Sequence, residues 1–282
     1  MKPFHQLLKE QKTLVIPGVF NAASALLAKN AGFEALYLSG SGIATGCFGV
    51  PDLGITTLEN VCEETRRITN VKALHATSLL VDADTGFGNE ADAVKQLEKS
   101  GAAGIHLEDQ VFPKRCGHRP GKEVISPEEM VLKIQNAIKA RTNSDFFIIA
   151  RVDSRNVIGF DDAIERAKKY QDAGADAIFA EALESKDEYK KFVDTLKIPV
   201  LANMTEFGKT PYLSVYEFES VGVRMVIFPL TAFRRMMKAT EEVYRIIKKE
   251  GTQKPILNSM QSRDELYRLL NYYEAEEIID KK

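Results

Sequence analysis

Short apolar runs recur along the whole chain, and polar, periodic segments separate them. We count eight runs rich in residues typical of β-strands. Both faces of these runs are apolar, which is typical of strands buried on both sides in a parallel sheet. The predicted strands are Leu14–Val19, Ala35–Ser39, Leu79–Asp82, Gly104–Glu108, Phe146–Val152, Ala177–Glu181, Pro199–Asn203 and Met225–Pro229.

Most segments between the predicted strands carry a helical pattern. Ser126, Pro127 and Glu129 form a helix start signal, with a capping residue, proline at the first helical position and an acid at the third. Glycines such as Gly101 and Gly174 suit the left-handed caps that end helices. Strand and helix alternate eight times, which predicts a (β/α)8 TIM-type barrel. Helices are predicted over Glu90–Ser100, Ser126–Arg141, Phe160–Ala173 and Lys186–Leu196.

The length and composition of the chain fit one such barrel. The chain has 282 residues, of which 44% are hydrophobic and 28% charged, so it can bury a large core. A barrel of this class typically has about 250 residues. We therefore expect a single barrel domain over residues 1–282, with a C-terminal helical extension over about 255–282.

Charge and cysteine content limit the classes of binding partner and the cellular compartment that we expect. The net charge is −2 and the basic residues are dispersed, which argues against a nucleic-acid or anionic-membrane partner. No run has the pattern of a signal peptide or a membrane span. The three cysteines are few and odd in number, as is typical of a reducing compartment. We therefore expect a cytoplasmic protein that binds a small molecule.

Polar residues end five of the predicted strands. Asp82, Glu108, Arg151, Glu181 and Asn203 each lie at the carboxyl end of a different strand. Active sites of (β/α)8 barrels lie on that face. A single acid at a strand end is often a helix cap, but five polar residues on different strands are hard to explain as separate caps. The pattern predicts an active site at this rim.

The acids of the rim have the chemistry of a hard-cation site. Asp82, Asp84 and Glu108 offer carboxylate oxygens, and no group of His and Cys has the spacing of a zinc site. These ligands favour Mg2+, with Mn2+ as the alternative. A second interpretation stays open at this point, in which the acids pair with Lys114 or Arg151 and bind no metal.

The segment Lys114-Arg115-Cys116-Gly117-His118 places a thiol beside two fixed cations and an imidazole. Such neighbours favour the thiolate, so the thiol can exchange a proton readily. The gap between strands that contains it is longer than a turn requires, and long loops in compact barrels are usually functional. The alternative is that these basic residues are solvated surface.

Two weaker features complete the polar pattern. The turn Ser39-Gly40-Ser41-Gly42 follows a predicted strand, and its backbone N–H groups suit a carboxylate or phosphate, although a plain turn would look the same. His106 lies in the middle of a predicted strand, which is more typical of a core histidine than of a ligand.

The Lys114–His118 segment, preceded by Glu108-Asp109-Gln110, resembles the signature of the isocitrate lyase and phosphoenolpyruvate mutase superfamily. Other motifs are similar to its branch that acts on 2-methylisocitrate. The chain departs from that pattern at Ser41 (glycine is usual), Ala180 (proline) and Phe228 (tyrosine), and Ala180 adjoins the predicted site. The matching motifs are Tyr37-Leu38-Ser39-Gly40, Pro51-Asp52-Leu53-Gly54, Asp82-Ala83-Asp84-Thr85-Gly86-Phe87-Gly88, Asn203-Met204-Thr205-Glu206-Phe207-Gly208 and Gly251-Thr252-Gln253-Lys254.

The resemblance implies Mg2+-assisted retro-aldol cleavage of (2R,3S)-2-methylisocitrate to pyruvate and succinate, a step of propionate catabolism in the methylcitrate cycle. It implies that Asp82 holds the metal directly, that Asp52, Asp84 and Glu108 act largely through water, and that Cys116 protonates the succinate carbanion. The hydroxyl base stays open between a metal-polarised water and Glu181. The expected catalytic residues are Lys114, Cys116, His118, Arg151 and Glu181, and the expected substrate-binding residues are Tyr37, Ser39, Gly40, Ser41, Arg115, Gly117, Asn203 and Thr205.

Two apolar residues are expected around the substrate methyl group. Phe179 precedes Glu181 on the same strand end, and Leu230 follows the last strand. The resemblance also implies that the loop carrying Cys116 is a lid, with Gly117 and Gly121 as its flexible points. It further implies a homotetramer in which C-terminal helices are exchanged between subunits, and a helix predicted over Asp264–Asp280 is the expected exchanged element.

Other functions share much of this pattern. An oxaloacetate decarboxylase, a dimethylmalate lyase or a carboxyphosphonoenolpyruvate phosphonomutase would have the same barrel, metal and arginine. The complete Lys-Arg-Cys-Gly-His segment favours a lyase that needs a protonating thiol. A Schiff-base aldolase using Lys114 or Lys122, and a non-catalytic carboxylate-binding barrel, are the alternatives from other classes.

Overall fold

The computed structural model describes residues 1–281 and contains a closed barrel of eight parallel strands. Each strand pairs with the next along the chain, and the first pairs with the last. The predicted (β/α)8 TIM-type fold is therefore confirmed, and the predicted strands agree with the observed ones to within a residue at each end. The strands are β1 Leu14–Val19, β2 Ala35–Leu38, β3 Ser78–Asp82, β4 Gly104–Glu108, β5 Phe147–Val152, β6 Ala177–Ala180, β7 Val200–Asn203 and β8 Met225–Phe228.

Helices follow the strands along the chain, and several of them begin at recognisable caps. Ser126 accepts a hydrogen bond from the backbone N–H of Glu129, as the start signal predicts. The four helices predicted between strands are all present. The helices are α1 Phe4–Glu10, α2 Ala22–Asn30, α3 Gly40–Cys47, α4 Leu58–Thr69, α5 Glu90–Lys99, α6 Pro127–Ala140, α7 Phe160–Asp172, α8 Lys186–Thr195, α9 Val215–Ser220, α10 Thr231–Glu250, α11 Arg263–Leu269 and α12 Tyr272–Asp280.

A continuous apolar core fills the lower part of the barrel. Helix α1 lies at the amino ends of the strands and buries Phe4, Leu7 and Leu8. These side chains join a cluster that includes Phe147 and Met225. Because this end is packed with apolar side chains, the polar residues of the strands are left to the opposite end.

The strand register brings the polar strand ends together. Glu108 is directly opposite Arg151 across β4 and β5, and Asp82 is opposite His106 across β3 and β4. Since all eight strands are parallel, their carboxyl ends form one rim. The fold thus places the predicted site residues on the same face of the barrel.

A long segment between β4 and α6 leaves this rim and returns to it. Gln110 and Val124 form an isolated antiparallel bridge, and the N–H of Val111 donates to the carbonyl of Glu123 at 2.9 Å. We call residues 111–123, which carry Lys114 to His118, the lid. Its two ends are therefore held side by side.

The chain divides into two compact units, one ending at Thr231 and the other beginning at Ala232. In the second unit, the helix predicted over Asp264–Asp280 is wrong, because two helices, α11 and α12, replace it. Asn271 separates them with a left-handed backbone (φ +51°), and Tyr267 stacks on Tyr272 at 4.2 Å between ring centroids. Within residues 1–281, no helix combines the length and apolarity needed to cross a bilayer.

Candidate active site

A buried ion pair occupies the centre of the rim. Arg151 Nη1 lies 2.9 Å from Glu108 Oε2, and Arg151 Nε lies 3.9 Å from Glu181 Oε2. Glu108 and Arg151 lie at the carboxyl ends of the adjacent strands β4 and β5, and Glu181 directly follows β6. The register of the strands therefore brings the three side chains together. The acids raise the pKa of Arg151, even though burial alone would lower it. The guanidinium is a permanent positive charge facing the rim.

Asp82 is fixed from three sides at the end of β3. The hydroxyl of Tyr37 donates to Oδ2 at 3.2 Å, and the backbone N–H of Gly40 donates to the same atom at 3.1 Å. Nε2 of His106 lies 3.4 Å from Oδ1 and is hydrogen-bonded to the Tyr37 hydroxyl at 2.9 Å. Tyr37 and Gly40 therefore orient Asp82 in this structure.

Lys114 of the lid reaches down between two acids of the rim. Its Nζ lies 2.5 Å from Asp52 Oδ1 and 2.6 Å from Asp84 Oδ1, and the side chain is buried. Burial alone would lower the pKa of the ammonium, but the surrounding carboxylates, Asp84 and Asp82 first, raise it well above its usual value. A Schiff base requires a neutral amine, so this environment disfavours Lys114 as the nucleophile of an aldolase.

The donor set fits a hydrated divalent cation. Among residues 1–281, no three His, Cys, Asp or Glu side chains converge closely enough to chelate an ion by themselves. Mg2+, however, keeps several waters and needs only one or two carboxylates. Oε1 of buried Glu108 has no hydrogen-bond partner among those residues, and burial raises the pKa of Asp84 to about 6. Carboxylates that are buried and incompletely paired would gain from a cation.

Glu181 contacts polar groups from the lid and from β7. His118 Nε2 of the lid lies 3.0 Å from its Oε1, and the amide of Asn203 donates to the carboxylate at 3.3 Å. Gly117 lies so close that a Cβ there would meet Oε1 at 2.2 Å, which explains why the lid carries glycine at this position. Burial opposes ionisation, but Arg151 and the hydrogen bond from His118 hold the pKa of Glu181 below its usual range.

The lid faces the rim with some side chains and solvent with others. Lys114 and Gly117 are buried, whereas Arg115 and Cys116 are exposed. In this position of the lid, therefore, the thiol is open to solvent while its neighbours contact the acids. Gly121 has a left-handed backbone (φ +81°), which is consistent with a turn at the far end of the lid.

The other predicted substrate-binding residues surround this centre. Ser39 caps α3 by accepting the N–H of Gly42, and Ser41 lies in the first turn of that helix. Thr205 follows β7 and is partly exposed. Phe179 is fully buried under the Arg151 guanidinium, 5.2 Å from ring centroid to Cζ, and Leu230 lies beside the start of α3. Their contacts with substrate stay predictions.

Sequence reasoning missed an acid that lies directly behind Arg151. Asp153 is fully buried, with its Oδ2 2.9 Å from Arg151 Nε, and Lys122 Nζ lies 2.8 Å from its Oδ1. Lys122 is thus an ion-pair partner in this structure, which disfavours it as a Schiff-base lysine. The one available signal was the spacing, since Asp153 follows Arg151 by two residues and therefore belongs to the same strand end.

The barrel and its rim define the class of protein. It is a (β/α)8-barrel enzyme with an acidic site that lies under a lid and includes a buried arginine. This class uses the carboxyl ends of its strands for catalysis.

Comparisons with known proteins place the chain more narrowly. The family model described as phosphoenolpyruvate phosphomutase matches residues 4–248. The 2-methylisocitrate lyase of Escherichia coli (strain K12) is 50% identical over 99% of this chain and 95% of its own length. A crystal structure of 2,3-dimethylmalate lyase superposes with a TM-score of 0.89 at 35% identity, covering 97% of this chain and 92% of the other. Phosphonopyruvate hydrolase, solved with oxalate and Mg2+, gives 0.83 at 29% identity, covering 96% and 94%.

The chain belongs to the phosphoenolpyruvate phosphomutase family, within the PEP mutase/isocitrate lyase superfamily. This confirms the resemblance inferred from the Lys114–His118 segment.

Proposed function

We propose that this chain is a carbon–carbon lyase that cleaves (2R,3S)-2-methylisocitrate to pyruvate and succinate. The observation that carries the proposal is the identity of 50% to a 2-methylisocitrate lyase along almost the whole of both chains. The rim supports it, because buried Arg151 and the acids of β3 and β4 lie under a lid that carries a thiol.

The reaction needs one proton removed and one supplied. The substrate hydroxyl loses a proton while the bond between the carbinol carbon and its neighbour breaks, which leaves pyruvate and a succinate carbanion. That carbanion then takes a proton. When bound by Asp82, with Asp52, Asp84 and Glu108 around it, Mg2+ or Mn2+ supplies positive charge that favours the developing negative charge on the substrate oxygens.

The chain's own residues supply the rest. The Arg151 guanidinium binds and stabilises the carboxylates of the succinate part, with Asn203 and Thr205 beside it. Ser39 and Ser41, at the start of α3, bind the carboxylate of the pyruvate part, on either side of the Gly40 N–H that donates to Asp82. Because Glu181 is held ionised by its neighbours, it is one candidate to accept the hydroxyl proton.

Cys116 donates the proton that converts the carbanion to succinate. The thiol is exposed in the present position of the lid, so the proposal requires the lid to turn it inward when substrate binds. Lys114 and His118, which already contact the acids of the rim, anchor the lid on either side of the thiol. Proton delivery from a closing lid also excludes water from the carbanion.

The test is a substrate panel with purified protein and Mg2+. We expect one pyruvate and one succinate for each 2-methylisocitrate consumed, and a kcat/KM about ten- to two-hundredfold higher than with isocitrate, which lacks one methyl group. In D2O the succinate should carry one deuterium at the new C–H bond. Faster turnover of 2,3-dimethylmalate or oxaloacetate would overturn the substrate assignment.

Chelation tests the metal separately. Exhaustive EDTA dialysis should abolish turnover, and Mg2+ or Mn2+ should restore it. Full activity after dialysis, together with a lysine adduct trapped by borohydride and pyruvate, would favour the Schiff-base mechanism instead.

We further propose that the enzyme is a cytoplasmic homotetramer with exchanged C-terminal helices. Free cysteines suit a reducing compartment. Helix α12 buries none of its residues although it carries Tyr272, Tyr273, Ile278 and Ile279, so its apolar side chains are available to a second copy. Sedimentation equilibrium of the intact chain, and of a chain ending before Ser262, tests this.

A further inference from the structure

Asp153 is a buried acid beneath the rim, and its carboxylate contacts three other side chains. Its carboxylate accepts a hydrogen bond from Arg151 Nη2 at 3.0 Å and lies 2.9 Å from Arg151 Nε. The side chain is fully buried, so water does not compete for these contacts. Asp153 therefore determines how the Arg151 guanidinium is oriented from behind, while Glu108 contacts it from the rim.

The same carboxylate holds both ends of the lid. Gln110, just before the lid, donates from Nε2 to Asp153 Oδ1 at 3.1 Å. Lys122, near its far end, donates from Nζ to Oδ1 at 2.8 Å and to the Asp153 carbonyl at 3.3 Å. Three positively polarised groups from three parts of the chain thus share one carboxylate.

Gln110 also forms hydrogen bonds with the backbone of the lid. Its Oε1 accepts the backbone N–H of Arg115 at 2.9 Å, and its Nε2 donates to the Arg115 carbonyl at 2.9 Å. Arg115 immediately precedes Cys116. A single amide side chain therefore joins the backbone next to the thiol to the carboxylate that orients Arg151.

A second buried acid keeps Asp153 in place. The backbone N–H of Asp153 donates to Asp109 Oδ1 at 2.8 Å, and the hydroxyl of Tyr170 donates to Asp109 Oδ2 at 2.8 Å. Arg166 donates to the carbonyl of Ile125, just beyond the lid, at 2.7 Å. Buried charges in such a network are strongly coupled, because removing one partner leaves the others unpaired.

From these contacts we infer that Asp153 is a positioning residue that couples the position of the lid to the orientation of Arg151. When the lid lies on the rim, Gln110 and Lys122 complete the hydrogen bonds of Asp153, and Asp153 then holds Arg151 rigidly toward the substrate. The kinetic part of this inference rests on the proposed function, whereas the structural coupling does not.

The test is Asp153→Asn, studied first without any substrate. Asparagine has the same shape but removes the charge and one acceptor. Hydrogen exchange of the lid amides, including those of Val111 and Arg115, and of the adjacent Ile125 amide should become at least about tenfold faster, since hydrogen bonds to a buried charge are among the strongest in the lid. Exchange of the barrel strands away from β5 should be unchanged.

With 2-methylisocitrate, the same variant should lose about ten- to hundredfold in kcat/KM, the usual effect of removing the partner that orients a site residue. The larger part should fall in kcat, because Arg151 keeps its charge and its contact with Glu108 and so still binds carboxylates. A purely structural role would lower the amount of folded enzyme and leave both constants of the folded fraction unchanged.

Two further variants keep the test decisive. Gln110→Leu preserves volume and net charge but removes the amide, so it should loosen the lid near Arg115 even if Asp153→Asn folds poorly. The matched control is Asp176→Asn, since Asp176 also pairs with an arginine (Arg141, 2.9 Å) and accepts a backbone N–H (Ile148, 2.8 Å) but lies before β6 at the opposite end of the barrel. It should lose stability without changing lid exchange.

The outcomes separate the inference from the proposed function. Lid exchange equal to that of the wild type in both Asp153→Asn and Gln110→Leu would overturn the coupling, even if the enzyme cleaves 2-methylisocitrate. Equal loosening of the lid by Asp176→Asn would also overturn it. If another substrate proves to be the correct one, the exchange results still test the coupling, and the kinetic measurement is repeated with that substrate.

Discussion

The two ends of the barrel treat polar groups in opposite ways. At the amino end, the half-buried guanidinium of Arg224 donates to the carbonyls of Leu8, Gln11 (3.1 Å) and Lys12 (2.7 Å), so it ties the start of β8 to α1 and the segment that follows α1. At the carboxyl end, Oε1 of Glu108 and Oδ1 of Asn203 are buried and have no hydrogen-bond partner among the described residues.

This difference indicates that the amino end of the barrel mainly determines stability and the carboxyl end mainly determines the reaction. An unpaired buried oxygen lowers stability, so the two at the carboxyl rim indicate groups kept ready for a ligand. Substitutions at the amino end should therefore reduce the free energy of unfolding and leave the kinetic constants unchanged. Substitutions at the carboxyl end should change the kinetic constants and leave the free energy of unfolding nearly unchanged.

The largest effect is expected at Cys116. Cys116→Ser should lower turnover of 2-methylisocitrate by about two to four orders of magnitude, the usual contribution of a positioned acid. Its stability should stay within about 0.5 kcal/mol of the wild type, because the side chain is exposed. Steady-state kinetics and urea unfolding measure the two quantities.

Cys47→Ser is the matched control for the thiol and should keep normal turnover. Burial raises the pKa of Cys47 to about 11, so iodoacetamide should react with it much more slowly than with Cys116 at neutral pH. Pyruvate and succinate should protect Cys116. Near-normal turnover of the Cys116 variant would remove the thiol from the mechanism.

The opposite result is expected for Phe4, at the amino end. Phe4→Ala should destabilise the protein by about 3 to 5 kcal/mol, because it empties a fully buried position against Phe147, where the ring centroids are 5.4 Å apart. At a temperature where the variant is folded, kcat/KM should equal that of the wild type. A large kinetic change with little loss of stability would contradict the division between the two ends.

His106 lies between the two ends and should make stability depend on pH. Burial lowers the pKa of its imidazole to about 4, whereas the unfolded chain has a value of about 6.5. Between these values the unfolded chain binds the proton and the folded protein does not, so stability falls as pH decreases from about 6.5 to 4. The loss should approach about 3 kcal/mol.

Urea unfolding between pH 4 and 7 in EDTA, for wild type and His106→Asn, measures this contribution. The variant should lose most of the slope. His5→Gln is the control, since His5 is exposed at the amino end and only 3.7 Å from Asp176. An unchanged slope in His106→Asn would assign the pH dependence to the acids of the rim.

The smallest effect is expected at Phe179. Phe179→Leu should reduce the preference for 2-methylisocitrate over isocitrate by about tenfold, if this ring contacts the substrate methyl. Phe147→Leu makes the same change on a buried ring near the amino end and should leave the preference unchanged. Equal losses with both substrates would mean that Phe179 acts only by supporting Arg151, 5.2 Å away.

Local sequence signals were enough to predict the barrel, because each strand is a short apolar run and most strands are followed by a capped helix. They also indicated which residues end strands, and parallel strands bring those residues together without further information. Helix α12 shows the limit, since only the left-handed conformation of Asn271 breaks the predicted helix, and asparagine adopts that conformation only in some contexts.

Contacts across the rim could not be predicted in the same way. Pairing of the rim acids with Lys114 or Arg151 was one interpretation of the sequence, but the order of residues does not show that Lys114 inserts between Asp52 and Asp84, since this depends on how the lid folds back. Asp153 was missed for a related reason, because its partners Gln110 and Lys122 come from the two ends of a long loop. Side-chain networks between distant segments require the tertiary structure.

The bridge between Gln110 and Val124 gives the lid a modular character. Because the chain leaves and rejoins the barrel at paired residues, residues 111–123 can change in sequence or length without altering the register of any strand. New proton donors, altered charge or a different pocket shape can therefore be introduced at the rim while the strands stay in place, provided that Lys122 keeps its contact with Asp153. The rest of the lid is then a replaceable segment above Arg151.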